Sequence, residues 1–223
     1  ATPHDYAQSG PNPNKVYTFY IVSQQKVYLM QHLLTPYSKI IEPFAWWEGA
    51  FTEEQLDWLQ QKAKNASTKA QVNKEKTSEL DAEVRRSEVS WLIKDLDTSW
   101  VFEVLSTVVL KLNADHFGFD LTGFGEPLQL ANYREEVQGN YRWHRDFGSG
   151  GPSRKLSVVL QLSDSNDYEG GQLQLLTKKD PINIPKKRGL ITVFPTWTLH
   201  QVTPVVRGTR QSLVTWISGP PFK

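Results

Sequence analysis

From Phe117 onward, short runs of β-branched and aromatic residues alternate with turn residues, and no helical period interrupts them. The runs fall at roughly 117–121, 126–133, 155–162, 171–177, 189–194, 200–206 and 210–217, a spacing that restricts this part of the chain to a sandwich or barrel of antiparallel strands. Ahead of them lie helical patterns. Helices followed by antiparallel strands give an α+β, mainly β, fold class: a double-stranded β-helix, or jelly roll, with N-terminal supporting helices on one sheet.

The helices carry their own start signals. Thr52-Glu53-Glu54-Gln55 is a capping box, in which side chain and backbone satisfy each other across the first turn. It opens a helix with Leu56 and Leu59 on one face, running to about Ala63. Residues 64–82 are polar without a periodic apolar face and read as an exposed loop; Glu75, Glu79 and Glu83 with Arg85-Arg86 read as a solvated face. Asp97 is the expected cap of a second helix from Thr98 to about Asp115, with Phe102, Leu105, Val109 and Leu112 as its buried stripe. Nearer the N-terminus, residues 16–22 and 27–30 have strand composition. Residues 1–15 read as a mobile arm and 16–223 as one catalytic-size domain, with helical support over about 52–115 and a jelly-roll core over about 117–217.

Composition narrows the partners. Lys+Arg of 25 against Asp+Glu of 24 leaves no global pull toward nucleic acid or an anionic membrane. The basic clusters Lys178-Lys179 and Lys186-Lys187-Arg188 read as solvated turn residues. With no cysteine there is no disulfide, thiolate metal site or cysteine nucleophile. No apolar stretch reaches the ~18 residues of a membrane span, and no signal pattern opens the chain, so the expected location is cytoplasmic.

The chemistry concentrates in His144-Arg145-Asp146 and the distant His200. In extended backbone, residues i and i+2 point the same way, so His144 and Asp146 reach one ion from a single strand end. An imidazole from another strand completes two histidines and one carboxylate, the set that holds iron(II) with open positions opposite. Alone, an HxD pair is more often solvated polarity than a ligand pair. The other histidines, His4, His32 and His116, read as structural or solvated. Gly148-Ser149-Gly150-Gly151 lacks the Lys-Ser/Thr of a phosphate loop and reads as a flexible segment beside the metal.

The surrounding motifs carry a resemblance. Tyr141-Arg142-Trp143-His144-Arg145-Asp146, Leu156 to Leu162, Tyr168-Glu169-Gly170-Gly171-Gln172-Leu173, Gly189 to Pro195 and His200 to Arg210 stand in order. Together they resemble the iron(II)- and 2-oxoglutarate-dependent dioxygenases, above all the prolyl 4-hydroxylase and PKHD-type hydroxylase group. The resemblance implies His144, Asp146 and His200 as iron ligands and Arg210 as anchor of the distal carboxylate of 2-oxoglutarate. A guanidinium suits a carboxylate as a two-pronged donor. Arg207 is the competing anchor. It lies an odd number of positions from Arg210 and so faces the other side of a strand; it sits in an Arg-Gly turn, whereas Arg210 opens the apolar run ending at Trp216. A buried arginine needs an anion, and a turn arginine does not. By the same resemblance Tyr133 hydrogen-bonds 2-oxoglutarate, Gln161 replaces a tyrosine at its distal carboxylate, and Trp216 lines the iron pocket. Gly170-Gly171 marks a tight turn where φ must be free.

The implied activity is hydroxylation of a C–H bond using iron(II), 2-oxoglutarate and O₂, with ascorbate as a possible reductant. The favoured partner is a peptide or protein carrying a prolyl residue. Trp46, Trp47, Trp143 and Trp197 are either aromatic walls for such a segment or core residues. The alternatives are an oxygenase for a free amino acid, nucleobase or small metabolite, and a non-catalytic jelly-roll binding module.

Overall fold

Alternation along one long strand organises the protein. The computed structural model describes residues 19–23, 26–30, 41–70, 84–147 and 153–221. The chain divides into two compact units, Ala1–Lys39 and Ile40–Lys223, where the sequence reading set off residues 1–15 alone. In the first unit β1 (Phe19–Ser23) and β2 (Lys26–Met30) form an antiparallel hairpin.

The second unit opens with β3 (Ala45–Trp47), α1 (Glu53–Ala70), β4 (Arg85–Arg86), β5 (Glu88–Leu92) and α2 (Ser99–Leu112). Then come β6 (Gly123–Phe124), β7 (Leu128–Arg134), β8 (Asn140–His144), β9 (Arg154–Gln161), β10 (Tyr168–Gly170) and β11 (Leu173–Leu176). β12 (Ile182–Asn183), β13 (Ile191–Pro195), β14 (Leu199–Val202) and β15 (Val205–Ser218) complete it. The major sheet runs β3-β13-β9-β15-β7-β5, with β6 and β10 also paired to β15; the minor sheet runs β12-β11-β14-β8-β4. This is the jelly roll expected from the spacing of the runs.

Successive side chains on β15 go to opposite faces of the major sheet. Leu213 and Ile217 join Leu130, Val158, Leu160, Ile191 and Val193 in a cluster with Leu56 and Leu59 of α1 and Val101, Leu105 and Val109 of α2. The opposite face packs on the minor sheet, where Val159, Ala131, Tyr133 and Phe194 meet Leu173, Leu175 and Val202. One face is therefore backed by helices, and the other encloses the space between the sheets.

The local signals mostly hold. The Thr52 amide donates to Gln55 Oε1 at 3.0 Å and the Gln55 amide to Thr52 Oγ1 at 3.3 Å, the reciprocal capping box. Arg188 then ties α1 to the sheet through Asp57 (2.5 Å), Gln60 (2.7 Å) and the Leu162 carbonyl (3.1 Å). It is thus a clamp, not a solvated turn residue.

Several boundaries move. α1 continues to Ala70, past the expected end at 63, because helix formers such as Lys64, Ala66 and Lys69 need no apolar face to extend a nucleated helix. The second helix begins at Ser99 with Thr98, not Asp97, at its N-cap position and no side-chain cap; in the turn ahead of it Asp95 Oδ1 accepts the amides of Asp97 and Thr98, each at 2.9 Å. The expected strand at 117–121 is a helical turn over Asn113–Phe117 and a loop, and pairing begins only at Gly123. Short strands β3, β4, β5 and β12 were not expected, whereas β8 is the strand expected to end at the His144 pair. Residues 1–15, His32, Glu75, Glu79, Glu83 and Gly148–Gly151 lie outside the described residues.

Candidate active site

β8 and β14 are neighbours in the minor sheet, and His144 stands directly opposite His200. Opposed residues share a face, so the sheet register alone brings two imidazoles from distant sequence to ring centres 4.1 Å apart. β8 ends at His144, and Asp146 follows in the turn beyond it. Its place is fixed by neighbours: its amide donates to the Thr196 carbonyl at 3.0 Å, and its own carbonyl accepts from Arg154 Nη1 at 3.3 Å. Arg154 is in turn paired with Glu126 at 2.6 Å and sits over Trp216, its guanidinium carbon 3.8 Å from the ring centre. From the facing major sheet, Ser157 Oγ donates to Asp146 Oδ2 at 2.7 Å.

The ring nitrogens are sorted by the backbone. His144 Nδ1 lies 2.7 Å from the Arg142 carbonyl and His200 Nδ1 2.9 Å from the Thr198 carbonyl. A carbonyl only accepts, so each Nδ1 carries a proton and each Nε2 offers a lone pair. Those Nε2 atoms lie 3.6 Å and 3.4 Å from the two Asp146 oxygens. Burial, then the neighbouring His200, holds the His144 imidazole down to about 4, so it is neutral at pH 7. Tyr141 stacks on His144 with ring centres 3.4 Å apart, and the Phe194 ring packs against His200 at 4.8 Å.

The donor set fits a metal ion. The three ligand atoms all lie within 4.8 Å of one another, and atoms each about 2.1 Å from one ion are about 3–4 Å apart. Two imidazoles and a carboxylate on one side are the donors that suit iron(II) and leave its other positions free.

From this cluster a cavity lined by Tyr133, Val159, Leu173, Val214 and Trp216 leads to Arg210. Arg210 is 2% exposed. It lies opposite Tyr133 across the β15–β7 pair, its Nη1 donates to Ser212 Oγ at 3.2 Å, and its guanidinium carbon is 5.3 Å from the Tyr133 ring centre. Among the described residues no carboxylate lies within 4.0 Å of it. Arg207 lies on the same strand, not in a turn. Its side chain is exposed and paired with Glu169 at 2.8 Å. The strand-phase argument thus separates the two arginines as expected, although the turn assignment behind it was wrong.

The remaining expectations divide. Tyr133 and Trp216 line the cavity, and the buried Trp216 Nε1–H has no acceptor among the described residues. Gln161 faces the Arg210 end, but its amide donates to the Ser163 carbonyl and to the Tyr168 hydroxyl, both at 3.1 Å. Trp46, Trp47, Trp143 and Trp197 are 47%, 37%, 37% and 40% exposed, which removes the core reading for all four. Of these, Trp46 is opposite Thr192 and shares the face of Val159.

Three residues around the site were missed. Ser157 was signalled by its alternation with Val159 and Gln161 on β9. Tyr168 was hidden in the motif ahead of the paired glycines. Arg85, read as part of a solvated face, lines the cavity, with its Nη2 donating to Gln129 Oε1 at 2.7 Å and its guanidinium carbon 4.8 Å from the Tyr141 ring centre. The strand pairing of β4 with β8 places it there, and a two-residue strand has no sequence signature.

Comparison with known proteins places this geometry. Residues 128–218 match the 2OG-Fe(II) oxygenase superfamily. A PKHD-type hydroxylase of Synechococcus sp. (strain CC9902) is 44% identical over 88 residues, 38% of this chain and 38% of that protein. The chain spans about two fifths of the length of several such curated relatives. Among solved structures, a Pseudomonas putida prolyl-4-hydroxylase superposes with a TM-score of 0.64 at 19% identity, over 80% of this chain and 94% of that one. A Trichoplax adhaerens prolyl hydroxylase in complex with a hypoxia-inducible-factor peptide fragment gives 0.65 at 16% identity, over 79% and 83%. At these identities the structural likeness speaks for the fold.

Proposed function

We propose, from the match of residues 128–218 to the 2OG-Fe(II) oxygenase superfamily, that this protein is a 2-oxoglutarate-dependent dioxygenase acting on a prolyl residue of a peptide or protein. The observation that carries the reading is one cavity with the His144, Asp146 and His200 cluster at one end and the buried Arg210 at the other. His144, Asp146 and His200 would hold iron(II), and Arg210 would take the distal carboxylate of 2-oxoglutarate. Bound iron supplies the chemistry that couples decarboxylation of 2-oxoglutarate to succinate and CO₂ with transfer of one O₂ oxygen into a C–H bond.

The chain's own residues orient and shield. Arg210 sets the far end of the cosubstrate by a charge-assisted two-point contact. The Nδ1 contacts keep both imidazoles pointed inward, as outer contacts do for metal-bound histidine. Val159, Leu173 and Val214 exclude water between the two ends. The free Trp216 N–H and the Arg85 guanidinium offer donors to acceptor groups flanking the target carbon, as peptide carbonyls would be.

A peptide is favoured over a free amino acid by charge. Among the described residues Asp146 is the sole acid lining the cavity, so the ammonium of a free amino acid would be desolvated without a partner. The test is anaerobic loading with iron(II) and 2-oxoglutarate, then oxygen and a panel of proline-containing peptides and free metabolites read by mass. A peptide gaining one oxygen atom, about sixteen mass units, at proline is expected. Oxidation of a free metabolite with every peptide inert would overturn the prolyl assignment.

A further inference from the structure

Loaded as proposed, the cavity retains one uncancelled charge. Among the described residues it is lined by two cations, Arg85 and Arg210, and by one acid, Asp146. Iron(II) and the 2-oxoglutarate dianion cancel, ligating imidazoles are neutral, and Asp146 offsets Arg210. Arg85 alone is left. Resting on the reading above, we propose that Arg85 determines specificity by binding a carboxylate that the peptide substrate carries close to its target prolyl residue.

Arg85 is held in place without any acid. Its Nε donates to Ser87 Oγ at 2.6 Å and its Nη2 to Gln129 Oε1 at 2.7 Å. β4 is the end strand of the minor sheet and Gln129 stands on β7 of the major sheet, so the second bond ties the two sheets together beside the cavity. These bonds use two of the five N–H groups of a guanidinium. Among the described residues the other three have no acceptor, and no carboxylate lies within 4.0 Å. Both acceptors are neutral, which offsets only part of the cost of withdrawing a cation from water. A carboxylate removes that cost and accepts two parallel N–H donors.

Tyr141 sets the reach. Its ring centre is 4.8 Å from the Arg85 guanidinium carbon and 3.4 Å from the centre of the His144 ring. The guanidinium therefore lies within about 8 Å of a candidate iron ligand, roughly the span of two extended residues. A target carbon beside the metal brings into range an aspartate or glutamate one or two residues away, or the terminal carboxylate of a chain that ends there. The neighbouring Arg154 is already paired with Glu126, and Arg210 is taken by the cosubstrate.

The test uses the anaerobic iron(II) protein with 2-oxoglutarate and reads peptide binding by calorimetry, then hydroxylation by mass once oxygen is added. Proline peptides with amidated ends carry glutamate or glutamine at the flanking positions, and a further glutamine peptide ends in a free carboxylate. A carboxylate peptide, side-chain or terminal, should bind about tenfold more tightly than the amidated glutamine peptide, as for a hydrogen bond to a charged group. The arm that does so identifies the source of the carboxylate. High salt should shrink the gain. Arg85→Gln should erase it, and Arg85→Lys, which keeps the charge but not the fork, should retain part of it. No gain for either carboxylate in the parent, or a gain that survives Arg85→Gln, would overturn this proposal, while oxygen gained by the peptides still upholds the proposed function. Peptides that all stay inert while a free metabolite is oxidised would overturn the proposed function, and this proposal with it.

Discussion

The two faces of β15 are equally buried and built for opposite purposes. Leu213 is 0% exposed toward the helices, and Arg210 is 2% exposed toward the minor sheet. The helix face is mainly apolar, with Gln211 bonded to Asn132 and Asn132 to the Ala63 carbonyl of α1, so most of its members share one non-directional driving force and substitute for one another. The cavity face buries Arg210, Gln161, Ser157, Asp146 and His200. Each needs a specific partner, since an unpaired buried charge costs stability. The difference teaches where function resides. The helix face sets whether the chain folds, and the cavity face spends part of that stability on groups aimed at a ligand.

The comparison breaks most sharply at the metal end. His144→Ala, Asp146→Ala and His200→Ala should each abolish 2-oxoglutarate turnover, a loss exceeding the roughly 100-fold that changes just outside a metal's ligands cause. Circular dichroism should show the fold intact, because the core clusters contain none of the three. Global unfolding in all three variants would make them structural residues and erase the division between the faces.

Leu213→Ala should do the reverse. Truncating a buried leucine in a packed sheet–helix core costs about 2–5 kcal/mol, measured as a fall in urea midpoint. Turnover per folded molecule, assayed well below that midpoint, should stay near that of the parent. A turnover loss larger than the unfolded fraction would mean that the helix face transmits strain to the cavity.

How much of this was legible in the sequence follows from the same contrast. The long strands, the Leu56 and Leu59 stripe and the Thr52 box are local patterns, and the fold class came from them. His144, Asp146, His200 and Arg210 were legible because order and spacing of motifs carried them. Arg85 and Tyr168 were not, because each is brought to the site by a short strand whose pairing no local period records. The cap of α2 failed for a related reason. Asp97 and Thr98 both precede the helix, and only the turn's path decides that Thr98 takes the cap position while Asp95 accepts the amides of the turn itself.

Arg210→Met sharpens the contrast within one residue, since it keeps the buried stem and removes the charge. Affinity for 2-oxoglutarate should fall at least about 30-fold, from the 2–5 kcal/mol that loss of one partner of a desolvated charged contact costs. Thermal stability should hold or rise, because a buried cation without a carboxylate partner is replaced by an apolar chain. Calorimetry with 2-oxoglutarate and a melting curve on the same sample decide the point. A lower melting temperature with unchanged affinity would make Arg210 a structural residue.

The smallest effect belongs to Arg207→Ala, three positions away on the same strand. Its guanidinium is 59% exposed and its one partner, Glu169, equally so. An ion pair in that setting contributes about 0–1 kcal/mol and is screened by salt. The melting temperature should therefore shift by little, and less still at high ionic strength. Affinity for 2-oxoglutarate should match the parent, because alternation along β15 turns this side chain away from the cavity. Titrating 2-oxoglutarate into the anaerobic iron(II) protein, with Arg210→Met beside it, reads both arginines on one scale. A crippled Arg207→Ala with an unaffected Arg210→Met would invert the assignment of faces along the strand, and with it the location of the cosubstrate.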